Sequence, residues 1–122
     1  MKHSKTGIVR LFNAAGYSIA GIRACWQNEA AFRQDVMLAS ALFVGSFFLA
    51  RSVEQWLLLV FPLFLILMVE LLNSAIENVV DRIGQERHQL SGRAKDMGSA
   101  AVLFCLVLIA INWVAIAWKN FY

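Results

Sequence analysis

The sequence predicts an all-α membrane protein in which three transmembrane helices follow an amphipathic surface helix. Of its 122 residues, 60% are hydrophobic and 16% are charged, and the charges cluster between long apolar runs. Three of these runs reach or approach the ~20 residues needed to cross the hydrocarbon core of a bilayer. This composition excludes an ordinary soluble domain, and the length predicts a single membrane domain over residues 1–122.

The first element is a helix over about 8–26, predicted to lie in the membrane surface. Its apolar residues recur at spacings of three and four, and they are Ile8, Phe12, Ala15, Ile19, Ile22 and Trp26. Polar residues fall on the opposite face, as is typical of an amphipathic helix. Such a helix can be a passive anchor, or it can bring polar groups to a site at the membrane surface.

The three predicted spans cover about 29–50, 55–80 and 93–119. The first is the weakest, because Arg33, Gln34 and Asp35 leave residues 36–50 as its charge-free part. We expect these three polar side chains at the water interface. Ser91 is expected to cap the start of the last helix, since a serine hydroxyl can accept from a free backbone N–H there.

The distribution of basic residues predicts the orientation in the membrane. Nine of the eleven lie before the first span or between the second and third, namely Lys2, Lys5, Arg10, Arg23, Arg33, Arg82, Arg87, Arg93 and Lys95. The positive-inside rule therefore places the N-terminus and the 81–96 segment in the cytoplasm and the C-terminus outside. Cys25 and Cys105 occupy different settings, so no disulfide is expected.

A polar stripe on the second span is the strongest functional signal. Glu70, Asn73, Glu77 and Asp81 fall within an arc of roughly 80° on one helical face. Each carboxylate in a membrane helix costs at least ~2 to 3 kcal/mol on insertion scales. Glu77 lies near the cytoplasmic end, and Glu70 lies two turns deeper, about 10 Å along the axis. Such a stripe predicts a functional site.

The residue types at this stripe favour chemistry on phosphate. Magnesium prefers oxygen ligands and is usually held by one or two carboxylates together with substrate phosphates. Glu77 and Glu29 would supply such a pair, although Glu29 could instead pair with Arg33 four residues later. Glu70 suits a proton acceptor at the lipid boundary, and Asn73 could support either carboxylate by hydrogen bonding.

The start of the third span is rich in positive charge. Arg93 and Lys95 lie in its first turns, where free backbone N–H groups favour an anion, although the same charges could merely fix topology. His88 is interpreted as a solvated loop residue, and Gly98 and Ser99 as small residues that let helices approach. No glycine-rich loop of a soluble kinase occurs, and we expect no nucleic acid partner. Spacing alone leaves a membrane enzyme and a transporter both open.

Four segments resemble the signature of the prokaryotic diacylglycerol kinase family. They read ELLNSAIENVVDR over 70–82, GRAKDMGSAA over 92–101, AAGYS over 14–18 and NEAAFRQ over 28–34. The resemblance implies a homotrimer of three-helix subunits in a bacterial inner membrane, with the C-terminus in the periplasm. It also implies phosphorylation of diacylglycerol to phosphatidic acid by Mg²⁺ and ATP. A trimer would shelter the carboxylates, which are expected to face protein or a water-filled cavity.

The resemblance assigns roles by position. Glu70 would be the catalytic base, and Glu29 and Glu77 would hold the magnesium that accompanies ATP. The positions of nucleotide contact would be Arg10, Tyr17, Glu29, Glu77, Glu86, Arg87, His88, Lys95 and Asp96. The positions for the lipid or for support of the site would be Ala14, Arg33, Glu70, Asn73 and Ser99. Two alternatives remain, an undecaprenol kinase of the same family and a small oligomeric channel or transporter with a pore lined by the stripe.

Overall fold

The computed structural model describes residues 7–84 and 88–122, and over these residues the chain forms four helices. They are α1 (Gly7–Asn28), α2 (Ala30–Leu49), α3 (Val53–Ile83) and α4 (Gln89–Phe121). The last three are long and apolar enough to cross a membrane. The predicted all-α membrane fold with three spans is therefore confirmed. Glu86 and Arg87, two expected nucleotide contacts, lie outside the described residues.

Helix α3 lies at the centre of the subunit and packs against both α4 and α2. Leu63 and Ile66 of α3 form the core with Ala39 of α2 and with Cys105 and Ile109 of α4. In a bilayer such contacts stabilise by close packing, because the lipid tails are as apolar as the side chains. Cys105 is a free thiol, as is Cys25, which agrees with the expectation of no disulfide.

Pro62 stands inside α3, and a side chain of α4 compensates for its missing N–H. Proline has no backbone N–H, so the carbonyl of Leu58 four residues earlier loses its helical partner. Asn112 Nδ2 donates to this oxygen at 2.9 Å, and Trp113 Nε1 donates to the Leu59 carbonyl at 3.1 Å. An unpaired carbonyl is costly at membrane depth, so the bond to the Leu58 carbonyl is stabilising. Both bonds also join α4 to α3.

A second polar cluster joins three helices at the opposite end of α3 from the stripe. Gln55 and the buried Asn120 exchange two side-chain hydrogen bonds of 3.0 and 2.9 Å. Asn120 Nδ2 also donates to the Leu49 carbonyl at 2.8 Å. This cluster ties the end of α2 to the start of α3 and the end of α4.

Helix α4 begins earlier than expected, at Gln89, and His88 caps it. The His88 Nδ1 accepts from the backbone N–H of Leu90 at 3.0 Å, which satisfies a donor that has no helical partner. The prediction that Ser91 is the cap is wrong, because Ser91 already lies within the first turn. The ring nitrogen of His88 accepts the kind of hydrogen bond that the Ser91 hydroxyl was expected to accept, about one turn earlier in the chain.

Candidate functional site

The junction of α1 and α2 places Glu29. Asn28 ends α1 with its side-chain amide donating to the Ala24 carbonyl at 2.8 Å, and Glu29 has an extended backbone with φ −122° and ψ 108°. The Arg33 guanidinium donates to the Trp26 carbonyl at 2.6 Å across this turn. Both Glu29 and Arg33 belong to the described part of the chain, and no ion pair joins them. The alternative of a local Glu29–Arg33 pair is therefore not realised.

A cavity of about 350 Å³ opens between this junction and α3. Glu29 and Asn28 line it from the junction, and Ser74 and Asn78 line it from α3. Cys25 of α1 closes one side, where its Sγ donates to Ser74 Oγ at 3.4 Å. This contact fastens the surface helix to α3 beside the polar stripe.

The Cys25 thiol of α1 is buried and lies in a negative electrostatic environment. Burial raises its pKa, and the negative charges of Glu29, Glu70 and Glu77 act in the same direction, against the hydrogen bond to Ser74. The thiol therefore stays protonated, and it is not a reactive nucleophile. The Cys25 sulfur thus lies in the electrostatic field of Glu29 at the junction and of both glutamates of α3.

Glu70 is buried, with 5% of its surface exposed. Its carboxyl group lies within hydrogen-bonding reach of the Asn73 amide on the same helix and of the Asp35 carboxyl group on α2. Two further oxygens of this group, Asp35 Oδ2 and Asn73 Oδ1, are buried and have no hydrogen-bond partner among the described residues. Glu70, Asn73 and Asp35 therefore form a compact polar group between α2 and α3.

Gly98 lets α4 approach this group closely. A Cβ atom built on Gly98 would collide with the side-chain oxygen of Asn73. Gly98 is therefore a small residue at a helix contact, as expected, and the side chain that it contacts is that of Asn73. Since Asn73 lies beside Glu70, the absence of a side chain at Gly98 sets the position of a residue that supports the buried carboxyl group.

We expect the G98A variant to lose both thermal stability and activity. Forcing an extra methyl group into a packed contact typically costs about 1–3 kcal/mol, and the displaced Asn73 would no longer support Glu70. The control is G92A on the same helix, where an added Cβ would meet nothing within 4 Å. Alanine favours a helix over glycine by about 1 kcal/mol, so G92A should unfold at the same or a higher temperature. Equal unfolding temperatures for the two variants would contradict this prediction.

The end of the stripe at Asp81 opens into a second, larger cavity of about 770 Å³. It is lined by the ends of α3 and α4, including Asp81, His88, Arg93, Lys95 and Asp96. Lys95 Nζ and Asp81 Oδ1 form an ion pair at 2.9 Å, with their side chains 43% and 56% exposed. An exposed pair of this kind contributes little to stability, so the Lys95 ammonium group can leave Asp81 at little cost.

The remaining expected site residues are spread over the helices. Arg10, Ala14 and Tyr17 lie on the exposed face of α1, and none of the three lines either cavity. Ser99 is exposed on α4 directly after Gly98. Within the single described subunit, the fold thus forms two groups, the polar group of Glu70, Asn73 and Asp35 and the charged residues near Lys95.

Comparison with known proteins decides the family. Residues 16–117 match the family model described as prokaryotic diacylglycerol kinase. A diacylglycerol kinase of Escherichia coli (strain K12) is 49% identical over 121 residues, which cover 99% of each chain. One from Pseudomonas aeruginosa is 49% identical over 112 residues, covering 92% of this chain and 91% of the relative. This chain belongs to the prokaryotic diacylglycerol kinase family.

In this diacylglycerol kinase family member, the sequence pattern did not identify Asp35 as a residue of the candidate site. Asp35 was expected at the water interface, and in the structure its carboxyl group also lies within hydrogen-bonding reach of Glu70. The helical register of α2 could have identified it, since Asp35 lies three residues after Phe32 and four before Ala39, which are both buried. A residue at this spacing faces α3, because side chains three and four apart share one helical face.

Proposed function

We propose that this chain transfers the γ-phosphoryl group of ATP to the hydroxyl group of diacylglycerol, forming phosphatidic acid at the cytoplasmic membrane face. Membership of the prokaryotic diacylglycerol kinase family supports the lipid substrate. The single structural observation that carries the chemistry is the buried Glu70 carboxyl group, held between two helices at membrane depth. A membrane protein keeps such a group where function requires it.

In the proposed reaction Glu70 is the general base. Its carboxylate accepts the proton of the lipid hydroxyl group while the hydroxyl oxygen bonds to the γ-phosphorus. The bond from that phosphorus to the β–γ bridging oxygen breaks, and ADP leaves. Asn73 would orient Glu70 through its amide, so that one carboxylate oxygen faces the substrate. The protein contributes mainly position and charge to such a transfer.

Glu29 and Glu77 are the proposed holders of Mg²⁺. The donor chemistry fits the ion, since carboxylate and amide oxygens are the ligands that magnesium prefers, and Glu29 shares its cavity with Asn78. Among residues 7–84 and 88–122 no three His, Cys, Asp or Glu side chains form a preassembled metal site. This suits an ion that enters with nucleotide phosphates. When bound, it would neutralise the charge of the phosphates.

The larger cavity is the proposed nucleotide region. Its volume of about 770 Å³ falls within the range of about 300–1,000 Å³ usual for small-molecule sites. Lys95 would bind a phosphate as a point charge after leaving Asp81, and Asp96 and His88 would contact the remainder of ATP. The backbone N–H groups at the start of α4 add to the attraction for an anion.

An apolar groove of about 320 Å³ between α2 and α3 supports a lipid substrate. Ala39 and Phe43 line it from α2, and Leu63 and Leu67 line it from α3. Ala39 lies one turn from Asp35, and Leu67 lies about one turn from Glu70. An acyl chain in this groove would bring the glycerol hydroxyl group toward the buried carboxyl group.

The working enzyme is proposed to be a homotrimer in a bacterial inner membrane, with the N-terminus in the cytoplasm and the C-terminus in the periplasm. The orientation is supported by the nine basic residues at the two cytoplasmic segments. A site shared between subunits would cover the exposed face of α1 that carries Arg10 and Ala14, and it would shelter the stripe from lipid.

A lipid-choice assay tests this function. Purified protein in mixed micelles is given ATP with either diacylglycerol or undecaprenol, and the phosphorylated lipid is measured. We expect diacylglycerol to be strongly preferred and turnover to require both Mg²⁺ and ATP. A large preference for undecaprenol would assign the chain to that branch of the family. Charge movement across vesicles without ATP turnover would instead support the channel or transporter.

A further inference from the structure

The contact between Asp35 and Glu70 joins two acidic side chains. Their carboxyl groups lie within hydrogen-bonding reach of each other between α2 and α3. The ion pair found in the described part of the chain is that of Lys95 with Asp81, so neither acid has a basic partner there. Ionising both of two carboxyl groups in hydrogen-bonding reach of each other is costly, because their negative charges repel.

The unpartnered atoms around the pair indicate what joins the two acids. Asp35 Oδ2 is buried, and no described donor reaches it. A carboxylate oxygen is an acceptor, so it needs a proton from its surroundings to be satisfied. A single proton on either acid supplies this donor, and the pair then carries one negative charge. Asn73, whose amide also reaches Glu70, can donate one further hydrogen bond.

We propose that Asp35 is a positioning residue that holds Glu70 toward the lipid hydroxyl group through a hydrogen bond containing one shared proton. The inference rests on the proposed role of Glu70 as the base. In it, the proton of the pair is held on Asp35, which donates to the Glu70 oxygen on the side of α2, and the other carboxylate oxygen of Glu70 remains free to accept the proton of the substrate. Asp35 itself need not touch the lipid, the nucleotide or the metal.

Steady-state kinetics of two Asp35 variants test this role. D35A removes the hydrogen bond, and a misplaced catalytic group can cost about 10²-fold in rate. We therefore expect a large fall in kcat with the KM for ATP unchanged. D35N should retain most of the wild-type kcat, because its amide can donate the same hydrogen bond to Glu70. The control is Q34A, an exposed neighbour on the same helix, which should behave like the wild type.

Three kinetic outcomes would overturn the proposal. They are a wild-type kcat in D35A, a loss in D35N as large as that in D35A, and a raised KM for ATP in either variant. The second outcome would mean that the charge of Asp35 matters, and the third would place Asp35 with the nucleotide. D35N is nearly isosteric with aspartate, so it decides the question even where D35A fails to assemble.

Infrared spectroscopy provides a readout that does not depend on turnover. A protonated carboxyl group has a C=O stretch separate from that of carboxylates and sensitive to exchange into D₂O. We expect this band in the wild type and its loss in both D35N and E70Q, because each variant replaces the shared proton by an amide donor. Its absence from the wild type, or its survival in either variant, would overturn the shared proton. Presence of the band in a protein that does not phosphorylate diacylglycerol would instead overturn the proposed function.

Discussion

Replacing Glu70 by glutamine is expected to abolish most phosphoryl transfer while the protein stays folded. A glutamine amide fills nearly the same volume but cannot accept the hydroxyl proton, and loss of a general base typically costs about 10²- to 10⁴-fold in rate. This corresponds to about 3 to 5 kcal/mol of transition-state stabilisation. The measurement is the initial rate in mixed micelles, with ATP and diacylglycerol varied separately. We expect kcat to fall and both KM values to change little.

The matched control for E70Q is E54Q. Glu54 is an exposed glutamate in the first turn of the same helix, at the end remote from the stripe. It should keep wild-type kinetics, and both variants should elute as the same oligomer. Near-normal turnover in E70Q would remove Glu70 from the role of base and with it the mechanism proposed here.

Replacing Glu77 by glutamine is expected to raise the Mg²⁺ concentration that the enzyme needs and to lower its activity. Glu77 is partly buried toward the Asp81 end of the stripe, and its charge acts on Cys25 together with that of Glu29. Even residues that only support metal ligands change affinity or activity by about 10- to 100-fold when mutated, so a direct ligand should cost at least about tenfold. The measurement is a Mg²⁺ titration of the initial rate at fixed ATP.

E70Q serves as the comparison for E77Q in this titration. Its residual activity should show the wild-type dependence on Mg²⁺, because Glu70 lies two turns deeper along α3 than Glu77. An unchanged Mg²⁺ requirement in E77Q would contradict the assignment of this carboxylate to the metal. Thermal unfolding separates function from structure, since removing a carboxylate from a membrane helix is expected to leave stability unchanged or to raise it.

The fold class was predictable because its signals are local. Long apolar runs determine the three spans, and regular spacing on one face indicates the amphipathic helix from the sequence alone. The stripe was equally visible, since Glu70, Asn73 and Glu77 share a face of one helix. The predicted helix ends were less accurate. The cap of α4 depends on which side chain accepts from a free N–H, and in the structure this is His88 and not Ser91.

The sequence by itself determined the membrane class, the spans and the polar face of α3, since each depends on the order of residues within one helix. Only the tertiary structure decided which residues of the other helices contact that face. It placed the Asp35 carboxyl group beside Glu70 and set Gly98 against Asn73. It also turned Arg33 away from Glu29 to the Trp26 carbonyl. These contacts depend on how two helices are rotated and spaced against each other, and periodicity along one helix does not contain that information.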